Sequence, residues 1–254
     1  MKTPLRLVVY SLKRVRTLVA AMALLLAAFQ VLLIVVADSI QSSSSFEQLG
    51  ELMPPFVRQL LGPSFLSFMS FSGIVCLGYF DPAVIGAVVG LAIALGTMPT
   101  SEVEIGFMDL ILSRPISRHW IITRSIIVLM ICTVTMLVTM MLGTWVGLNF
   151  IAPKEVAWPA PHLILSLALN LAVLMLCWNA IAMAIGSAAR RRSAAGGLAG
   201  MGALAMFLLD YVFSPFELVM GNPLSKKNLL VLVGIALTGY ALAYIFFSRR
   251  DISH

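Results

Sequence analysis

One short stretch, SEVEIGFMDLILSRPISRHW at residues 101–120, combines acidic and basic side chains. It holds Glu102, Glu104, Asp109, Arg114 and Arg118, in a sequence of which only 11% of residues are charged. Exposed carboxylates and guanidinium groups can pair with charges on a second protein and fix how the two surfaces meet. The chemistry that this stretch offers is therefore that of a docking surface.

Groups suited to catalysis are scarce elsewhere in the sequence. No HExxH motif occurs, no Ser/His pair indicates a serine protease, and no glycine is followed by lysine, so a phosphate-binding GxxxxGK[ST] loop is absent. The three cysteines form no CxxC pair and are predicted to be packing residues without a disulfide or a metal site. We expect a chain that is not an enzyme, does not hydrolyse ATP by itself and binds no cofactor.

Deep in the predicted spans there is no carboxylate and no Lys or Arg, and the polar residues are neutral. Because ion pathways normally place ionisable residues deep in the membrane, their scarcity argues against an ion-coupled transporter. Four neutral residues are candidates for lining a substrate pathway, with interhelical hydrogen bonds as the alternative role: Thr135, Thr139, Asn170 and Asn179. Gly196 and Gly200 have the GxxxG spacing that predicts close helix packing, within this chain or between chains.

The elements that position these residues are membrane spans. The chain has 254 residues, of which 60% are hydrophobic, with a mean hydropathy of +1.00, and crossing a hydrocarbon core takes about 20 apolar residues. The fold class predicted is an all-α integral membrane protein with one domain, residues 1–254. Its six spans are predicted at about 17–37, 81–98, 121–148, 163–188, 194–213 and 229–248.

The distribution of cations predicts the orientation of these spans. With six spans, thirteen of the 17 Lys and Arg residues fall on one side and four on the other, which is a strong positive-inside signal. Both termini are therefore predicted to be cytoplasmic, and residues 64–80 are predicted to be an outer element that lies on or dips into the membrane. Cations dispersed among short loops do not favour nucleic-acid binding; the partner that they suggest is the lipid bilayer.

Two short helices are predicted beside the spans. Residues 4–14 alternate apolar and basic residues at helical spacing, which predicts an elbow helix on the cytoplasmic surface. Ser101 and Glu104 have the spacing of a capping box, which predicts that a second helix begins there. The apolar stripe of this second helix is Val103, Phe107, Leu110 and Ile111, with Glu102 pointing elsewhere. The helix is predicted to end at Arg114 because Pro115 follows.

The run E-x-E-x-G-x-x-D-L-x-L-S-R-P-I-S-R at residues 102–118 resembles the first cytoplasmic connection of type-2 ABC transporter permeases. Phe107 stands where threonine is common in that family. The resemblance implies an export permease of the inner (plasma) membrane, with two permease copies and two separate P-loop ATPase subunits that bind ATP and Mg²⁺. It also implies that the connection is a coupling helix that docks on the ATPase through Glu102, Glu104, Gly106, Phe107, Asp109, Leu110, Arg114, Pro115 and Arg118.

Two other function classes stay open on the sequence. One is an ion-coupled secondary transporter or channel, since backbone carbonyls and neutral side chains can bind sodium. The other is a membrane scaffold that transports nothing. A P-loop protein encoded beside this chain would favour the permease.

Overall fold

The computed structural model of the protein describes residues 2–42, 70–106, 118–153, 156–189, 191–209 and 226–249. These residues form α-helices and short connections, without a strand. The helices are α1 (Lys2–Ser42), α2 (Phe71–Leu77), α3 (Pro82–Gly96), α4 (Met98–Glu104), α5 (Arg118–Phe150), α6 (Pro161–Ala188), α7 (Arg192–Leu209) and α8 (Lys226–Arg249).

The long helices alternate in direction. Helices α1 and α5 run parallel, since Gly143 lies against Ala27 and Gly147, further along α5, lies against Ile34. Helix α3 runs the opposite way, because its end brings Leu95 to a small cavity that Ser11 of α1 also lines. We call the end of the bundle where α1 begins the proximal end, and the end where α1 finishes the distal end.

The second half of the chain continues this alternation. Asn179 of α6 bonds to Ala92 of α3, and the proximal end of α6 contacts α4. Helix α7 starts at the proximal end, where Arg192 meets Glu104. Helix α8 finishes there, since Phe247 packs in one cluster with Val103, Ile121 and Met183. The first and last described residues therefore lie at the same end of the bundle.

Within the described residues, five stretches are long and apolar enough to cross a membrane, which identifies a multi-pass membrane protein: Arg6–Ile40, Phe71–Glu104, His119–Phe150, Pro161–Ala188 and Leu229–Ser248. The second of them joins α2, α3 and α4, so it begins well before the predicted span at 81–98. The predicted span at 194–213 corresponds to α7, which is helical but is not among the five stretches found in the described residues. The end of that predicted span, residues 210–213, lies outside the described ranges.

The predicted elbow is not a separate helix. Helix α1 is continuous over 41 residues, and one buried face, with Val8, Ser11, Val15 and Val19, extends from the predicted elbow into the span. Val9, one of the apolar residues of the predicted elbow, is 47% exposed. No glycine or proline occurs between residues 5 and 42 to break the helix, so the basic residues here lie on the exposed face of a long helix.

Helix α2 lies at the distal end, in the segment predicted as an outer element. It is capped by Ser70, whose Oγ accepts a hydrogen bond from the Gly73 backbone N–H at 3.1 Å, and its Phe71 packs in one cluster with Ile34 and Leu148. Asp81 then caps α3 by accepting from Ala83 N–H at 2.8 Å. Residues 64–69 are outside the described ranges, and insertion of this segment into the membrane stays a prediction.

Candidate functional site

The site lies at the proximal end and is built on the short helix α4. Thr97 ends α3 and precedes α4, with its hydroxyl donating to Ile93 O at 2.9 Å. Pro99 occupies the first turn of α4, where its missing N–H costs no helical hydrogen bond. The helix finishes at Glu104, and Gly106 follows with φ +70°, a left-handed conformation that glycine adopts readily at a helix end.

The predicted start of this helix at a Ser101–Glu104 capping box is wrong. Ser101 lies inside α4: its N–H donates to Thr97 O and its own carbonyl accepts from Ile105 N–H, each at 3.2 Å. The helix begins at Met98, with Pro99 in its first turn, so Ser101 has no free helix end to cap. Residues 107–117, which the sequence placed in the same helix, are outside the described ranges.

Glu102 and Arg124 form a buried ion pair between α4 and α5. The Arg124 Nη2 donates to the Glu102 Oε2, and each residue is 2% exposed. The sequence indicated a Glu102 that points away from the apolar stripe and an Arg124 at a span end of the ordinary positive-inside kind. Instead the two charges neutralise each other inside the bundle, beside the apolar cluster that contains Val103.

Two further polar contacts connect α4 to the rest of the bundle. The Thr100 hydroxyl donates to the Gly186 carbonyl of α6 at 2.8 Å. The Glu104 carboxylate accepts from the backbone N–H of Arg192, the first residue of α7, at 3.0 Å. We call the three α4 residues Thr100, Glu102 and Glu104, with their partners, the α4 junction. Helices α5, α6 and α7 are therefore all bonded to a helix of seven residues.

The lack of a side chain at Gly186 makes the contact with Thr100 possible. A Cβ at that position would lie 2.6 Å from the Thr100 hydroxyl oxygen. Glycine therefore lets α4 approach α6 closely enough for a direct hydrogen bond. Because helices in a membrane associate by close packing and interhelical hydrogen bonds, both interactions hold α4 in place.

The structure brings together only part of the predicted docking residues. Glu102 and Glu104 meet in the α4 junction, Gly106 follows it, and Arg118 begins α5. The other predicted docking residues lie outside the described ranges: Phe107, Asp109, Leu110, Arg114 and Pro115. Their docking role stays a prediction.

The four pathway candidates do not form one cluster. Thr135 is exposed and Thr139 is half-buried, and both donate to carbonyls of their own helix, Ile131 O at 2.8 Å and Thr135 O at 2.7 Å. Asn179 is fully buried; it donates to Ala92 O at 2.8 Å and accepts from the Tyr240 hydroxyl at 3.3 Å. Asn170 is half-buried on α6. The contacts of Asn179 are those of a residue that joins α3, α6 and α8.

The predicted GxxxG face is open within this chain. A Cβ at Gly196 or Gly200 would meet nothing within 4 Å, whereas Ala195 and Ala199 on the same helix are buried. Packing of the two glycines against a second chain stays a prediction. The glycines at close helix contacts are ones that the sequence did not single out, among them Gly96, Gly143, Gly186 and Gly239.

Two further buried polar residues of the bundle are Arg124 and Gln30. The sequence indicated no role for Arg124 beyond the positive-inside signal, although an arginine inside a predicted span, here 121–148, is a signal for a buried partner. Gln30 is 0% exposed, and neither atom of its amide has a hydrogen-bond partner. It lies against Gly78, where a Cβ would be 2.5 Å from the amide. Within the described residues, no group of three or more His, Cys, Asp or Glu side chains is placed to hold a metal ion.

Comparison with known proteins places the α4 junction in a family context. The profile of a family described as "ABC-2 family transporter protein" matches residues 11–223. The matched range contains the whole α4 junction and most of the chain. No curated protein and no solved structure matches the sequence.

Proposed function

Because the chain belongs to the ABC-2 family of transporter proteins, we propose that it is the membrane subunit of an ATP-driven exporter whose ATPase is a separate protein. Membrane subunits of this family typically lack an ATPase domain. In the proposed complex, two copies of this chain form the substrate pathway, and two P-loop subunits bind ATP and Mg²⁺. The observation that carries the proposal is the family match over residues 11–223, which includes the connection between α4 and α5.

The geometry of the proximal end supports a coupling role for that connection. Residues 105–117 link Glu104 of the α4 junction to Arg118 of α5, so both ends of the connection are joined to helices of the bundle. A force on the connection therefore reaches α5 directly, and it reaches α6 and α7 through their hydrogen bonds to α4.

The distribution of charge supports a cytoplasmic position for the proximal end. The alternating helices bring the starts of α1, α5 and α7 and the ends of α6 and α8 to this end, together with most of the cations. By the positive-inside rule this end faces the cytoplasm, where ATP is available. We therefore assign both termini to the cytoplasm and the chain to the inner (plasma) membrane.

Biochemical isolation tests the proposal. The purified chain should hydrolyse no ATP, whereas co-expression with a P-loop protein encoded beside it should give a hydrolysing complex with two copies of each subunit. Native mass measurement gives the composition, and phosphate release gives the activity. A chain that binds no ATPase and transports on an ion gradient alone would refute the assignment.

Substitutions in the connection separate docking from simple attachment to the membrane. Phe107→Ala, Asp109→Ala and Arg114→Ala should leave membrane insertion intact but weaken co-purification with the ATPase. Breaking a desolvated charge pair at an interface costs about 2–5 kcal/mol, whereas an exposed pair on the membrane surface contributes about 0–1 kcal/mol. If all three variants bind and support activity as the wild type does, the connection is only a surface segment.

A further inference from the structure

The seven-residue helix α4 is joined to α3 through the single residue Thr97. Its position relative to the other helices therefore depends also on the groups that bond it to them. Thr100 supplies a neutral hydrogen bond and Glu104 accepts from a backbone N–H. Only at Glu102 does a full charge on α4 meet a full charge on another helix, among the described residues.

Because the Glu102–Arg124 pair is buried, it favours one arrangement of α4 relative to α5. Glu102 and Arg124 are each 2% exposed, so separating them would leave two charges in a medium that solvates them poorly. A displacement of α4 relative to α5 has to break the pair, whereas a joint movement of the two helices keeps it. Buried charges of this kind can restrict how neighbouring elements are arranged, even when they add little net stability.

The surroundings of Arg124 give it a further contact to make. Its Nε and the Ser11 hydroxyl, both buried, have no hydrogen-bond partner, and both residues line one cavity of about 10 Å³ together with Leu95 and Met98. A cavity of this size and polarity holds about one water molecule. A water there can accept from Arg124 and donate to Ser11, which connects the guanidinium to α1 as well.

We propose that Arg124 is a positioning residue that makes α4 and α5 move as one body. The two ends of the connection at residues 105–117 then keep one relative position only while the Glu102–Arg124 pair is intact. The part of this inference that concerns coupling rests on the proposed function. The part that concerns the position of α4 does not, and it is tested on the purified chain alone.

The first measurement is the distance between spin labels at Ile105 and Met130. These residues are 63% and 46% exposed, so labels fit there, and they lie on either side of the pair, just beyond α4 and within α5. We expect a narrow distance distribution in the wild type and a broad one in Glu102→Gln and Arg124→Met. The exchanged variant Glu102→Arg/Arg124→Glu should be narrow again, since it restores opposite charges.

Ser125→Ala is the matched control. Ser125 lines the same cavity next to Arg124, but its hydroxyl donates within its own helix, to Ile121 O at 3.1 Å. Its distance distribution should equal that of the wild type. If Glu102→Gln and Arg124→Met also match the wild type, the pair does not position α4 and the proposal is overturned. If neither single variant accumulates in the membrane, Glu102→Gln/Arg124→Gln, which has no unpaired charge, takes their place with the same expected broadening.

The second measurement uses the complex with the ATPase. A cysteine introduced at Phe150, which is 80% exposed at the distal end, should be labelled at a rate that changes when ATP is added. In Glu102→Gln and Arg124→Met we expect this nucleotide response to fall by about 2- to 30-fold, the usual range for substitutions along a coupling route, while ATP hydrolysis persists. The exchanged variant should recover the response.

The two measurements test separate claims, so one claim can be refuted while the other holds. A wild-type complex without any nucleotide response would count against the proposed function, while the spin-label distances still decide the role of Arg124. Narrow distances in every variant would refute the positioning role even if the complex responds to ATP. A wild-type nucleotide response in both single variants would refute the coupling role.

Discussion

Two fully buried amides in this protein should respond in opposite ways to replacement by an apolar side chain. Asn179 is bonded to Ala92 O at 2.8 Å and to the Tyr240 hydroxyl at 3.3 Å, whereas both amide atoms of Gln30 lack a partner. Both residues are 0% exposed. They form a matched pair for measuring the free energy of buried hydrogen bonds in this bundle.

The expected magnitudes follow from these contacts. Asn179→Leu removes two interhelical hydrogen bonds, each contributing about 0.6 kcal/mol on average and at most about 1.7 kcal/mol, so we expect a loss of about 1–2 kcal/mol. Gln30→Met removes an amide whose unsatisfied burial costs about 1–3 kcal/mol and keeps a flexible chain of similar size. The free energy of unfolding should therefore rise in Gln30→Met.

Thermal unfolding of the purified chain in detergent measures both effects. The three buried free cysteines react with a thiol dye only as the protein opens, so they report unfolding without an added label. A change of about 1 kcal/mol moves the midpoint by about 2–4 °C in a protein of this size. If Gln30→Met lowers the midpoint as much as Asn179→Leu does, the Gln30 amide is hydrogen-bonded and the reasoning is refuted.

Two further predictions concern helix contacts and orientation. Gly96→Ala would bring a Cβ to 2.8 Å from the Asn179 backbone oxygen, whereas a Cβ at Gly90 on the same helix meets nothing within 4 Å. We expect Gly96→Ala to lower the free energy of unfolding by about 1–3 kcal/mol and Gly90→Ala to raise it by up to about 1 kcal/mol; equal midpoints in thermal unfolding would contradict this. In intact cells, a membrane-impermeant thiol reagent should label Phe150→Cys at the distal end but not Ile105→Cys at the proximal end, and the reverse pattern would overturn the orientation.

Five of the predicted spans fall within the long apolar stretches of the described residues. These spans were predictable because the hydropathy of a span is the sum of the contributions of its residues. A run of about 20 apolar residues identifies a span whichever neighbours it packs against. The elbow was predicted incorrectly for a related reason. Apolar residues at helical spacing fit a surface helix and a continued span equally well, and only the packing of Val8 and Val15 against the bundle distinguishes the two.

The contacts of the α4 junction could not be predicted from the sequence because they depend on packing between distant segments. Glu102 and Arg124 are 22 residues apart, and Glu104 and Arg192 are 88 apart. No local spacing indicates such partners. The predicted capping box was wrong because the motif was considered without the residues before it: α4 begins at Met98, with Pro99 in its first turn.

Glycine spacing is likewise an incomplete signal of helix packing. The GxxxG spacing of Gly196 and Gly200 predicts a face that permits close approach, but a partner helix must be present for that face to be used. Gly143 and Gly147 have the same spacing, and Cβ atoms there would be 2.8 Å from Ala27 O and 2.5 Å from the Ile34 side chain of α1. Whether a glycine lies at a helix contact is decided by the arrangement of the bundle, which local sequence does not encode.

The structure separates two groups of residues that the family resemblance treats as one coupling surface. The carboxylates of Glu102 and Glu104 are bonded within the chain, to Arg124 and to the Arg192 backbone. A partner protein would have to break these bonds to use the same oxygens. Glu104 and Ile105 are exposed, whereas Glu102 is 2% exposed. Contact with the proposed ATPase should therefore begin at Glu104 and Ile105, and Glu102 should act indirectly, by fixing the position of the helix from which the connection starts.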